Sequence, residues 1–193
     1  MTADEVLSEL LAGNQRFVAG ETIEYHEARD WREQLTASQH PIATIVGCSD
    51  SRVPIELLFD QGFGDLFVIR VAGNVIGTTV AASIEYGVVH LNTPLVMVLG
   101  HSGCGAVTAA LNPDISGEPE DMGRLLTGIQ PALRGIERNL AIDAQVAAGV
   151  VSNVHYGIER VKRIPELAAA FDAQHAKLVG AVYHLDTSQV ELI

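Results

Sequence analysis

Three residues able to bind a soft metal ion lie in two short stretches of this chain. In "HSGCG", His101 and Cys104 are three residues apart, a spacing that can present an imidazole and a thiolate to one ion. "GCSDSRVP" supplies Cys48, with Asp50 and Arg52 on the next alternate positions. Together Cys48, His101 and Cys104 form a Cys2His set, which suits zinc and leaves a fourth tetrahedral position for water or a carboxylate. Asp50 could fill that position and close the site. A charge-assisted bidentate pair with Arg52 would instead hold the carboxylate back, leaving one of its oxygens to accept a hydrogen bond from water.

Plainer readings exist for each residue. Free cysteine is often a core residue, and an Asp-Arg pair can simply pin a loop. A dithiol redox pair fits poorly, because the two cysteines are far apart in sequence and no C-x-x-C occurs. A cysteine nucleophile with a histidine base would leave the second thiol unexplained.

The elements around these stretches favour a shared site. Apolar runs at 42–47 ("IATIVG"), 65–71 ("DLFVIRV"), 94–100 ("PLVMVLG") and 177–185 ("KLVGAVYHL") predict strands, the first three buried on both faces. Helical segments separate them, including "VPIELLF", with Pro54 suited to a first turn, and "TVAASIEYGVVHL". Apolar residues at three- and four-residue steps from Leu133 to Val161 predict further helices, ended by Pro165. The tail predicts a strand, a turn at Asp186 to Ser188 and a short returning strand. The fold class is therefore α/β: a mainly parallel four-stranded sheet with an added C-terminal antiparallel strand, helices on both faces and an N-terminal helical arm. Cys48 and the HSGCG stretch then follow the carboxyl ends of strands, where open α/β sheets bind ligands.

The whole chain, 1–193, is expected to be one domain, with an arm over 1–40 and a core over 41–193. Two helices are predicted in the arm, in "ADEVLSELLAGNQRFVAG" and "EARDWREQLTAS". Preceding the first strand, they are expected to need an apolar surface elsewhere, on another subunit.

Composition narrows the function. The 193 residues are 48% apolar, with 24 Asp and Glu against 12 Lys and Arg, so no basic face is available for nucleic acid. No basic segment leads into an apolar run at the start, and no stretch reaches membrane-spanning length, so a cytoplasmic location is expected. Two cysteines are too few for a disulfide framework.

The motifs resemble those of the β-class carbonic anhydrases. That family's C-x-D-x-R and H-x-x-C appear as "CSDSR" and "HSGC", and the similarity extends through "FDQGFGDLFVIRVAGNVI", "SIEYGVVHLN" and "GNQRFVAG". The resemblance implies that Cys48, His101 and Cys104 bind zinc and that Asp50 with Arg52 form a catalytic dyad. It implies interconversion of carbon dioxide and bicarbonate by zinc-bound hydroxide. Gln39 matches a substrate-binding glutamine, and Phe67 and Tyr86 match aromatic positions lining a small apolar cavity, partly from a neighbouring subunit. A homodimer is implied, or a tetramer or octamer built from dimers.

Some bacterial members have a closed, Asp-ligated state that depends on a tryptophan three residues before the first zinc cysteine. Here that position is Ile45, and Arg70 would lack its companion, so an open site without a tight bicarbonate effector site is expected. His26, His40, His90, His155, His175 and His184 are all available as proton carriers. Alternatives are a carbon disulfide or carbonyl sulfide hydrolase on the same framework, and a non-catalytic zinc-binding regulatory protein.

Overall fold

The structure, a computed structural model, describes residues 1–23 and 29–193, with residues 29–31 described by their backbone alone. His26, the Trp31 side chain and the first residues of the second expected helix lie outside the described residues.

Strands β1 (Ala43–Gly47), β2 (Leu66–Arg70), β3 (Leu95–His101), β4 (Lys177–Tyr183) and β5 (Val190–Leu192) form one sheet in the order β2-β1-β3-β4-β5. The first four are parallel, and β5 runs antiparallel to β4. From β1 the chain goes to β2 on one side and then to β3 on the other, so strand order reverses between β1 and β3. That point is where an open sheet leaves a crevice at its carboxyl edge.

Alternation along the strands divides the core in two. Leu95, Met97 and Leu99 of β3 face one side, with Leu58 and Phe59 beyond, whereas Val96 and Val98 face the other with Val107, Val150 and Val154. Helix α1 (Ala3–Ala19) and α3 (Ile55–Leu58) cover the first side. The second is covered by α4 (Thr78–Glu85), α5 (Gly105–Ala110), α6 (Glu120–Ile129), α7 (Ile142–Lys162) and α8 (Pro165–Asp172). Helix α2 (Arg29–Gln34) lies between α1 and β1 in sequence.

Three expectations need correction. Strand β2 is not buried on both faces: Leu66 to Ile69 are half-buried and Arg70 is exposed, because β2 is an edge strand. An apolar run reads the same at the edge as in the centre. Pro165 does not end the long helix, because α7 stops at Lys162 and Pro165 opens α8, where its missing N–H costs nothing. Before α7 the chain makes a 3-10 turn over Gln130–Leu133 and then irregular turns, leaving Leu140 exposed instead of on the packed face.

Within the arm, α1 packs on its own chain. A reciprocal Thr2 and Glu5 capping box starts the helix, and Gly20 ends it in a left-handed conformation. Val6 and Leu10 are fully buried in the first core layer, each burial contributing about 1.5–3 kcal/mol. Asn14 Nδ2 donates to the carbonyls of Leu58 (3.0 Å) and Ser188 (3.1 Å), and its Oδ1 accepts from Val190 N (2.9 Å). A Cβ on Gly13 would stand 1.9 Å from the Phe59 carbonyl oxygen. Gly13→Ala is therefore expected to push α1 off the turn after α3 and cost about 1–3 kcal/mol, read as a lower urea midpoint. An unchanged midpoint would show that this contact is not made.

Candidate metal centre

Each ligand candidate sits on an element that fixes it. Cys48 immediately follows β1, His101 is the last residue of β3, and Cys104 caps α5. Their ligating atoms lie within 4.8 Å of one another and all three residues are buried. The His101 Nδ1–H donates to the Ser102 carbonyl at 3.0 Å, so the lone pair rests on Nε2. That Nε2 is buried without a hydrogen-bond partner, which an ordinary core histidine would not leave. An unpartnered imidazole nitrogen facing two sulfurs fits a metal ion of zinc's type, and the formal charge of two thiolates would balance it.

The sulfurs differ. Cys48 Sγ lies beside the Cys104 thiol and His101, and accepts the backbone N–H groups of Asp50 (3.4 Å) and Gly73 (3.2 Å). Against burial, these contacts bring the Cys48 thiol down to about 4. Beside Cys48, the Cys104 thiol is pushed up, with burial acting in the same direction.

The Asp50 to Arg52 pair expected from the spacing is present. Asp50 Oδ1 accepts from Arg52 N (2.9 Å) and Nε (3.0 Å), and Oδ2 accepts from Nη2 (2.8 Å). Oδ2 also stands 3.8 Å from His101 Nε2, so the carboxylate overlooks the cluster while Arg52 holds it. The Arg52 guanidinium keeps the Asp50 carboxyl well below the usual carboxylate range. Arg70 braces the loop through Nε to the Cys48 carbonyl (3.0 Å) and Nη2 to the Asp50 carbonyl (2.6 Å).

A pH dependence follows from this pair. Because the folded pKa of Asp50 is depressed, its pairing stabilises the fold above the ordinary value of 3.8, and that contribution is lost as pH falls towards the folded pKa. Arg52 is largely in solvent, so the effect is small. Arg52→Ala should lower the melting temperature slightly at neutral pH, with the difference shrinking below the ordinary carboxylate pKa. A difference that stayed constant into acid would deny the pairing.

Gln39, Phe67 and Tyr86 are not brought to this cluster within one chain. Gln39 is exposed before β1, at the end of that strand opposite Cys48. Phe67 pairs with Thr44, three strand positions and about 10 Å from the Arg70 level. It stacks on Tyr86 with ring centroids 5.9 Å apart, and Tyr86 in turn meets His90 at 5.2 Å. Tyr86 is 46% exposed. Sequence reasoning missed Gly73 and Ser102, whose contributions to the cluster come from backbone groups. The Gly-Asn pair after β2 was the one available signal of a special turn.

Comparison with known proteins agrees with the fold. Residues 43–190 match the family described as carbonic anhydrase. A protein of Mycolicibacterium smegmatis named carbonic anhydrase is 40% identical over 187 residues, covering 93% of this chain and 88% of that one. The β-carbonic anhydrase CafA of Aspergillus fumigatus superposes with a TM-score of 0.79 at 26% identity, covering 97% of this chain and 90% of that structure. The Coccomyxa β-carbonic anhydrase solved in complex with acetazolamide gives 0.80 at 25% identity, covering 97% and 86%. The chain belongs to the carbonic anhydrase family, in its β class, and is thereby a lyase of that family.

Proposed function

We propose that the chain is a zinc-dependent carbonic anhydrase that interconverts carbon dioxide and bicarbonate. The observation that carries this reading is the buried, unpartnered Nε2 of His101 facing Cys48 and Cys104, with a restrained carboxylate beside it. Zinc held by these three residues would supply Lewis acidity that lowers the pKa of water, an effect the two thiolates moderate. Asp50 accepts a hydrogen bond from the reacting water through its exposed lone pairs and orients it. Arg52 keeps Asp50 from occupying the water's place. Ionised into the acid range, Asp50 acts as an acceptor throughout physiological pH.

Carbon dioxide is small and apolar, so its pocket needs apolar walls and one donor. Phe67, Tyr86 and Gln39 supply these on the reading that a second copy completes the site. The half-buried edge strand β2 and the exposed Tyr86 and Val89 support a homodimer. A tetramer or octamer would stack such dimers. A cytoplasmic location fits two free cysteines, and among the described residues no helix is long and apolar enough to cross a membrane.

The test sets carbon dioxide hydration beside hydrogen sulfide release from carbonyl sulfide, using zinc-loaded protein. Fast hydration with negligible sulfide release is expected. The opposite ranking would replace this reading with a carbonyl sulfide hydrolase.

A further inference from the structure

Helix α7 carries a polar residue where its packed face should be apolar. Val146, Gly149, Val150, Val154, Gly157 and Val161 form that buried face, and Asn153, 4% exposed, sits among them. Burying an amide there is costly unless it is bonded. Its Nδ2 donates at 2.9 Å to the carbonyl of Gly73, eighty residues earlier in the chain.

The Gly73 turn is an unusual piece of backbone. Gly73 has a φ of 64° and Asn74 of 44°, so two successive residues are left-handed, one of them with a side chain. The peptide joining them is held at both ends: its carbonyl by Asn153, and its N–H, that of Asn74, by the Val71 carbonyl at 3.0 Å. With that peptide fixed, the preceding N–H, that of Gly73, points at Cys48 Sγ from 3.2 Å. The turn is also packed tightly, since a Cβ on Gly73 would come within 2.6 Å of Ile129 Cδ1.

We infer that Asn153 is a positioning residue for the metal centre: by clamping the Gly73 carbonyl it aims the Gly73 N–H at Cys48 Sγ and so sets the donor strength and orientation of that thiolate. The inference rests on the reading of Cys48 as a metal ligand. Outer-shell partners of this kind orient ligands and tune the bound ion, although here the link is backbone to sulfur instead of carboxylate to imidazole. It assigns a reason for the polar residue in α7 that core packing does not provide.

Cobalt(II) gives a direct readout, because thiolate-to-cobalt charge transfer reports electron density on sulfur. Asn153→Leu keeps the side chain's bulk and removes the donor, and Asn153→Ala removes the donor without adding apolar volume. In both, the charge-transfer band should move to longer wavelength, because a sulfur without its N–H partner is the easier electron donor. Ile129→Val, which loosens packing against the same turn but breaks no hydrogen bond, should leave the band in place.

An unshifted band in either folded Asn153 variant would overturn the inference, as would an equal shift in Ile129→Val. Absence of any thiolate-to-cobalt band in the unmodified protein would overturn the metal-site reading itself, and this inference with it.

Discussion

Cys104→Ser is expected to release the metal and with it essentially all carbon dioxide hydration. The substitution keeps the size of the side chain but replaces a thiolate, a strong donor to zinc, with a hydroxyl that does not ionise near neutral pH. Changing a partner outside the ligand set commonly costs 10- to 100-fold in metal affinity, so losing a ligand should exceed about 100-fold. Lewis-acid assistance is worth several kcal/mol, which corresponds to a rate loss on the order of a thousandfold or more. Cys104 is buried at the start of α5 with 1% exposure, and serine fits that space, so the fold should survive. Metal analysis and circular dichroism of the variant check both halves. Full hydration with serine at position 104 would remove that residue from the site.

The second large effect separates metal binding from chemistry. Asp50→Asn should keep stoichiometric zinc and lose about 100-fold or more in kcat/KM, within the range found for a positioned proton-accepting group. The amide has the carboxylate's shape, but it lacks the charge that binds Arg52 Nη2 and presents a donor where an acceptor is needed. Arg52→Ala should fall by a similar factor for a different reason. Freed of its two guanidinium contacts, with the backbone N–H of position 52 alone still donating to Oδ1, the Asp50 carboxylate, whose Oδ2 is already 3.8 Å from His101 Nε2, could take the fourth position and close the site. Zinc content should be normal in both variants. Unimpaired Arg52→Ala would mean that the guanidinium restrains nothing and that the pair only pins the loop.

The chemistry-bearing residues were legible in the sequence because their spacing coincided with strand ends. Apolar runs ending at Gly47 and Gly100 placed Cys48 and the HSGCG stretch at one edge of a parallel sheet, and a reversal in strand order brings them together. The surroundings were less legible. Nothing in "DLFVIRV" distinguishes an edge strand from a central one, and so the exposure of β2 was missed. The stripe of Val6 and Leu10 shows that α1 needs an apolar surface but not that Phe59 and the sheet of the same chain supply it.

The Gly73 contact to Cys48 was hidden because every residue except proline carries a backbone N–H, so residue type does not mark it. The roles expected of Gln39, Phe67 and Tyr86 depend on a second copy, and within one chain the two aromatic rings meet each other, away from the cluster.

If a Cys2His centre with a restrained carboxylate hydrates carbon dioxide, stopped-flow measurement on the zinc-loaded protein at mildly alkaline pH will show it. Proton release should be saturable in carbon dioxide, proportional to zinc content, abolished by a chelator and restored by added zinc. Stoichiometric zinc with hydration no faster than in buffer would contradict it.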